Sequence, residues 1–278
     1  MRTISKLATL MALGAAQGLL ALLPDRMFGD TRGRLATLWF DLSGLAVPEG
    51  GATDTSFGIV RYFDGFQRIV IDSATASLYD KNADSGGTAF AINLQHNGVI
   101  RGTGDGTDGD KTNIFGPIAW RCDQGGPMTL EVRATLITSL ANGEEFIGWT
   151  DANTDENPLQ VSTSDALTSN ASNAAGFAYT GGGTADWKAV SVNGDADGSV
   201  FRCNNKGATT PVLTTWQTFK VVINEDGDAD YYIDGVWEGR EDLAVSTSTL
   251  LGFGACQEDG GAARSTDIDY VYQSAGRS

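Results

Sequence analysis

The sequence has little cysteine, histidine, proline and positive charge, and each shortage excludes a class of site or fold. Its 278 residues include three cysteines and a single histidine, His96. Because there is no Cys-x-x-Cys pair and no second histidine, the chain lacks the ligand set of a zinc site. An odd number of widely spaced cysteines favours assembly in a reducing compartment over a disulfide framework.

Positive charge is scarce and unevenly placed. The formal net charge is -16 and the pI is near 4.3, which argues against nucleic-acid phosphate or an anionic membrane as the partner of the main body. Residues 1–34 carry five basic and two acidic side chains, a balance of +3, so the remaining residues carry -19. A basic arm therefore precedes an acidic body.

The body lacks any helical period that persists over a dozen residues. From Phe57 onward, short apolar runs alternate with polar residues and are separated by turns rich in Gly, Asn and Asp. One stretch, "TWQTFKVVINEDGDADYYIDGVWEG", reads as three strands joined by two Asp-Gly turns. This pattern predicts an all-β fold, a two-sheet antiparallel sandwich over 57–278.

The N-terminal segment is apolar, so its side chains are expected to be shielded from water. Three interpretations are compatible with it: a secretory signal peptide over 1–16, a single transmembrane helix, or a helix that ends at Pro24 and packs against a protein partner. We adopt the partner-bound arm, over 1–48, followed by a linker at 49–56. The predicted partner-binding side chains are Leu7, Leu10, Met11, Leu13, Leu19, Leu20, Leu22, Leu23, Arg26, Phe28, Arg32, Arg34, Trp39 and Phe40.

The meander, with the closing strand "RSTDIDYVYQ", resembles the C-terminal part of concanavalin A-like jelly rolls. These include legume-type lectins, laminin G-like modules and family 16 glucanases. Together with "WRCDQGGPMTLEVRATL", "EEFIGWTDANTD" and "NAAGFAYT", it also looks like the jelly-roll virion proteins of tailed phages. The resemblance covers about 57–274 and implies the fold more strongly than any activity.

Catalytic residues are not predicted. The resemblance to glucanases implies a Glu-x-Asp-x-x-Glu strand with two working glutamates, and no glutamate in this sequence has that spacing. His96, in "NLQHNGV", is interpreted as a loop histidine and not as part of a catalytic triad. We therefore expect a protein that is not an enzyme.

Calcium and sugar are the ligands for which the sequence offers candidate residues. Aspartates in two turn-like stretches supply oxygen ligands of the kind that Ca²⁺ prefers, although turns require the same residues; they are Asp105, Asp108, Asp110, Asp195 and Asp197. No cofactor is predicted beyond this Ca²⁺ option. Trp149, Trp187 and Trp237 are candidate sugar-binding side chains, although their alternating runs also suit a core.

The sequence as a whole predicts two alternative functions. The first is a virion structural protein, a capsid decoration or cement protein assembled in the host cytoplasm. Its arm would dock on the major capsid protein, with trimers at lattice three-folds, and its body would be displayed at the capsid surface. The alternative is a lectin-like module, secreted or borne on a phage fibre, that binds a host glycan and whose residues 1–16 are a signal peptide.

Overall fold

The computed structural model describes residues 60–66, 79–84, 86–92, 98–124, 127–154, 156–182, 186–205 and 210–276. All of these belong to one compact unit, Val60–Ser278. The predicted arm over 1–48 with its partner-binding side chains, the linker at 49–56 and the alternative signal peptide over 1–16 lie outside the described residues. His96 lies outside them as well.

The described part of the chain contains eighteen strands and no helix. They are β1 (Val60–Asp64), β2 (Asp80–Ala83), β3 (Thr88–Ile92), β4 (Ile100–Thr103), β5 (Lys111–Phe115), β6 (Met128–Leu136), β7 (Glu144–Thr150), β8 (Leu159–Val161), β9 (Leu167–Ser169), β10 (Asn173–Thr180), β11 (Lys188–Asn193), β12 (Ala196–Asp197), β13 (Phe201–Arg202), β14 (Gln217–Ile223), β15 (Ala229–Ile233), β16 (Val236–Glu241), β17 (Gly252–Glu258) and β18 (Ser265–Ala275). No helix in the described residues is long and apolar enough to span a membrane.

The strands form two eight-stranded sheets and one small hairpin. Sheet A has the order β16-β15-β14-β6-β18-β4-β3, and β1 also pairs with β18. Sheet B has the order β12-β11-β10-β7-β17-β5-β2, and β13 also pairs with β11, while β8 and β9 pair only with each other. All strand pairings in the described residues are antiparallel. The prediction of an all-β sandwich of two antiparallel sheets is confirmed.

The main core lies between the two sheets. In β14 the side chains of Phe219, Val221 and Ile223 point inward, and the residues between them are half-buried. The same alternation places every second residue of β6 in the core, from Met128 to Ala134. Sheet A therefore has one buried apolar face and one outer face that contacts water, as expected of an antiparallel sheet solvated on one side.

Sheet B differs because both of its faces are buried. All eight residues of β10 and most of β7, β11 and β17 are inaccessible to solvent. The β8–β9 hairpin covers the outer face of sheet B: Leu159 and Val161 pack there with Phe146, Val190 and several alanines. Because both faces of these strands are buried, their sequences are nearly continuous apolar runs and do not alternate with polar residues.

The meander of β14, β15 and β16 uses two different turns. Asp234 and Gly235 both have positive φ, 52° and 78°, as a two-residue type I′ hairpin requires. The first turn is longer than the Asp226–Gly227 pair suggests, because β14 ends at Ile223 and β15 begins at Ala229. Only Gly227 has positive φ there, and the Asn224 side chain accepts the backbone N–H of Asp226 and of Asp228.

Candidate functional site

Six side chains form one line across the outer face of sheet A, one from each of six neighbouring strands. The pairing registers set Phe63 opposite Tyr272, Tyr272 opposite Glu131, Glu131 opposite Lys220, Lys220 opposite Tyr232 and Tyr232 opposite Trp237. We call this line the aromatic row; its members, from β1 to β16, are Phe63, Tyr272, Glu131, Lys220, Tyr232 and Trp237. Four of the six carry aromatic rings.

The row arises from strand alternation, since successive side chains point to opposite faces. Tyr231 is buried in the core, so its neighbour Tyr232 points outward; Val271 is buried, so Tyr272 points outward. In β18 a register shift between Ile268 and Tyr270 accommodates one extra residue, Asp269. This irregularity places both Tyr270 and Tyr272 on the outer face.

The two ends of the row are its most exposed members. Phe63 is 65% exposed and Trp237 is 49% exposed. The Phe63 ring lies 5.6 Å from the ring of Tyr270, and the indole Nε1–H of Trp237 donates to Asp230 Oδ1 at 3.1 Å. These contacts hold each ring at the surface instead of letting it move freely in water.

The middle of the row is polar. Lys220 Nζ lies 4.2 Å from the centre of the Tyr232 ring, a cation–π contact. The hydroxyl of Tyr270 donates to Glu131 Oε1 at 2.8 Å. Burial and the neighbouring Glu131 raise the pKa of Tyr270 to about 12, so at neutral pH the hydroxyl keeps its proton and remains a donor.

Three arginines among the described side chains of this face are already paired with carboxylates. Arg101 makes two hydrogen bonds to Asp267, at 2.6 and 2.8 Å. Arg133 pairs with Asp269 and also lies over the ring of Trp216, at 4.9 Å from its centre. Arg240 pairs with three aspartates at the β16 edge, Asp228, Asp230 and Asp242.

This combination suits a ligand that is apolar on one face and polar at its rim. Aromatic rings offer a large, flat apolar surface, while Glu131 and Lys220 offer an acceptor and donors between them. A pyranose ring has this character, because its C–H groups line the faces and its hydroxyls lie around the edge. The outer face of sheet A is therefore the candidate site.

The three tryptophans predicted to bind sugar have separate locations. Trp237 is in the aromatic row. Trp149 and Trp187 lie in the main core, 0% and 1% exposed, and Trp187 packs 4.6 Å from the ring of Phe219. Neither indole offers a face to a ligand, so the sequence-based assignment is corrected for these two. Trp149 lies in β7 and Trp187 directly precedes β11, and both faces of sheet B are covered.

Five of the six members of the row were not predicted from the sequence. The sequence does contain one signal: Tyr232 and Tyr272 each follow an apolar residue of a strand that is expected to face the core, so their own side chains are expected to point outward. That signal does not reveal that residues as distant as Phe63 and Tyr272 are opposite each other, since this depends on strand pairing.

A second group of polar side chains lies at one end of sheet B, on its outer face. Glu144 of β7 is directly opposite Glu258 of β17. Burial, then the charge of Glu258, raises the pKa of Glu144 to about 7; burial raises the pKa of Glu258 as well. Lys111 Nζ lies 3.9 Å from Glu258, and the amide of Gln160 in the hairpin donates to the same carboxylate.

The neighbouring Glu145 points the other way, into the space between the sheets. Its carboxylate accepts the hydroxyl of Thr266 at 2.8 Å and lies 4.0 Å from the buried guanidinium of Arg264. Burial, opposed by Arg264, raises the pKa of Glu145 to about 8. It belongs to the interior and not to a surface site.

The candidate calcium ligands lie in two separate turns. Asp105, Asp108 and Asp110 are in the β4–β5 connection, where Asp105 Oδ1 accepts the backbone N–H of Thr107 at 2.7 Å. Asp195 is in the β11–β12 turn and Asp197 is in β12, where its Oδ1 accepts the hydroxyl of Ser169 at 3.0 Å. The described residues contain no group of three or more His, Cys, Asp or Glu side chains arranged to hold a metal ion. Calcium binding stays a prediction.

The three cysteines are free and buried. Burial raises the pKa of the Cys122, Cys203 and Cys256 thiols. They are therefore unreactive core residues in this structure, and none contributes to the two polar groups described above.

Three of the solved structures similar to this one are named for cleaving or recognising carbohydrates. One comes from a study of endo-acting O-glycanases of human gut microbiota that initiate mucin breakdown, with a TM-score of 0.55, 14% identity and coverage of 78% of this chain and 99% of the other. The Bacillus licheniformis β-glucanase gives 0.50, 9%, 78% and 98%. The carbohydrate recognition domain of Emp47p gives 0.51, 9%, 82% and 100%. No family model and no curated protein sequence matches the chain.

At these identities the comparison establishes the fold, a concanavalin A-like jelly roll. It does not extend to the virion proteins of the sequence-based resemblance. The prediction that the chain is not an enzyme is corrected, because glycanases share this fold. The Glu-x-Asp-x-x-Glu spacing describes carboxylates within one strand, and carboxylates that face each other from two strands, such as Glu144 and Glu258, have no such spacing in the sequence.

Proposed function

We propose that this chain is a carbohydrate-binding module whose ligand lies on the outer face of sheet A. The observation that carries the proposal is the aromatic row, with its rings exposed at both ends and an acceptor and a donor in the middle. Similarity to a carbohydrate recognition domain and to glycanases favours the same reading.

Capsid decoration, the first function expected from the sequence, has less support. It depends on the arm over 1–48, which lies outside the described residues. The similar structures reported above are carbohydrate-active and not virion proteins. Docking on a capsid stays a prediction of the sequence alone.

Native electrophoresis through gels that contain soluble polysaccharides tests the proposal. We expect the wild-type protein to be retarded by at least one polysaccharide of a panel of glucans, mannans and xylans. A Tyr232→Ala/Trp237→Ala variant should migrate freely in the same gel. Leu250→Ala is the matched control, since Leu250 is an exposed apolar side chain outside the row, and it should be retarded like the wild type.

A second copy of this chain is the competing occupant of the face. Sedimentation of the wild type and the double variant separates the two cases. A dimer that dissociates in the Tyr232→Ala/Trp237→Ala variant, together with unretarded migration in every gel, would contradict carbohydrate binding and assign the face to self-association.

We also propose glycoside hydrolysis as a second candidate function, at the Glu144–Glu258 pair. Glu144 and Glu258 are directly opposite each other in neighbouring antiparallel strands, where Cβ atoms lie about 4.5–5.5 Å apart. Side chains that start this close can bring their carboxyl groups to the separation of about 5–5.5 Å that retaining glycosidases use. With its pKa near 7, Glu144 would hold the proton that a leaving oxygen needs. The substrate would have to displace the amide of Gln160 from Glu258.

Release of reducing ends from the polysaccharide panel tests this second candidate. If the pair is catalytic, turnover by the wild type should be abolished in Glu144→Gln and retained in Glu225→Gln, which changes a carboxylate of the exposed β14–β15 turn. Turnover that survives in Glu144→Gln would place the chemistry elsewhere.

A further inference from the structure

The shape of the aromatic row also restricts which carbohydrate it fits. The row crosses six strands, from β1 to β16. At a strand spacing of about 4.8 Å its length is about 24 Å. A monosaccharide or disaccharide would contact only a fraction of this length, so the ligand that uses the whole row is an extended chain.

Within the part of the chain that the structure describes, the row reaches an edge of sheet A at both ends. Trp237 lies on β16, the last strand of sheet A in that direction, and Phe63 lies on β1, beyond which no further strand pairs in the described residues. Because the row continues to both edges of the sheet, a longer polymer can extend past Phe63 and past Trp237. Such a surface suits an internal stretch of a chain, since no strand of the described residues closes either end of the row.

The charges of the face favour an uncharged polymer. Arg101, Arg133 and Arg240 are each engaged by aspartates, and Lys220 lies over a ring and opposite Glu131. A carboxylate or sulfate on the ligand would have to compete for these cations and approach a chain whose net charge is -16.

The twist of the sheet distinguishes a single chain from a crystalline surface. Neighbouring strands are rotated by about 20–25° relative to each other, so the four rings of the row, which are distributed over six strands, do not share one plane. A flat crystalline face would touch only some of them, whereas a single hydrated chain can follow the twist.

From these features we infer that the ligand of the aromatic row is an internal stretch of a single, uncharged polysaccharide chain that crosses the strands of sheet A. The inference rests on the proposed carbohydrate-binding function. It goes further by specifying the length, charge and physical state of the ligand.

Binding to four forms of one polymer tests the inference by calorimetry. With cellulose as the probe, they are a series of soluble cello-oligosaccharides, hydroxyethylcellulose, carboxymethylcellulose and microcrystalline cellulose; the corresponding mannan or xylan forms are used if the gels select those polymers. We expect affinity to rise at least tenfold from the disaccharide to the hexasaccharide. The uncharged soluble derivative should bind at least tenfold tighter than the carboxylated one, and the crystalline form should retain little protein.

Two variants at opposite ends of the row complete the test. Phe63→Ala and Trp237→Ala should each weaken hexasaccharide binding about tenfold, and the double variant about a hundredfold, since distant sites contribute additively. Reduction of the terminal sugar to its alditol should leave hexasaccharide affinity unchanged. Leu250→Ala serves as the control, and unchanged thermal unfolding confirms that each variant is folded.

The outcomes separate this inference from the function on which it rests. If no polysaccharide of any form binds, the proposed function fails. If polysaccharide binds but the disaccharide or the carboxylated polymer binds equally well, or only one end variant weakens binding, carbohydrate binding stands and the extended, uncharged ligand is refuted.

Discussion

Trp237→Ala is the substitution whose effect on ligand binding can be worked out most directly. The side chain is 49% exposed, and a tryptophan of about 250 Å² therefore offers about 120 Å² to a ligand. A sugar covers one side of the ring and removes about half of that area from water. At about 25 cal/mol per Å² the lost contact amounts to about 1.5 kcal/mol, which is about tenfold in Kd.

Isothermal titration calorimetry with the hexasaccharide selected by the gel experiment measures this change. The indole also donates to Asp230, so Trp237→Phe separates the two contributions: it keeps an apolar ring and loses the donor. We expect Trp237→Phe to recover most of the affinity that Trp237→Ala loses. A Kd for Trp237→Ala within about twofold of the wild type would refute the reasoning, provided that both proteins unfold at the same temperature.

Three further changes have defined outcomes. Raising the salt concentration from about 0.05 to about 0.5 M should change the affinity for an uncharged oligosaccharide by less than about twofold, because the ligand has no charge to be screened and Arg101, Arg133 and Arg240 are already paired; a steep salt dependence in calorimetry would show that free charges bind the ligand. Trp187→Ala should lower the free energy of unfolding by about 3–5 kcal/mol, because the indole is buried against Phe219 and bonded to Gln217; an unchanged denaturant midpoint would contradict its place in the core. Glu144→Gln should stabilise the protein by about 1–2 kcal/mol above pH 7, after a discount for partial solvent screening, and leave stability unchanged near pH 4. The folded-state pKa of about 7 exceeds the usual glutamate value of 4.5, so the native carboxyl contributes stability that is complete below pH 4.5 and is lost as the pH rises through 7. Chemical denaturation across this range measures the difference, and equal curves for the two proteins would contradict the raised pKa.

The fold was predictable because its signals are local. The period-two alternation of Phe219, Val221 and Ile223 is visible within β14, and Asp234-Gly235 has the backbone angles of a type I′ turn. The Asp226-Gly227 pair was less informative, since the Asn224 side chain reorganises that connection into a longer turn. A dipeptide motif does not include such side-chain bonds.

The site was less predictable because it depends on pairings between distant strands. Phe63 and Tyr272 are neighbours only because β1 pairs with the last strand of the chain. The alternation of apolar and polar residues places Trp149 and Trp187 in or beside strands. It does not reveal that both faces of sheet B are covered, the outer one by the β8–β9 hairpin. The Glu144–Glu258 pair was missed for the same reason, since its members come from two strands separated by about half of the body.

Titration of ¹⁵N-labelled protein with the selected hexasaccharide tests the central claim most directly, through the indole Nε1–H signals of the tryptophans. Trp237 and Trp216 report on the outer face of sheet A, while Trp149 and Trp187 are buried in the core. Carbohydrate binding by the aromatic row predicts that the Trp237 signal shifts progressively and saturates while those of Trp149 and Trp187 stay in place. A saturable shift elsewhere with an unmoved Trp237 signal would contradict it.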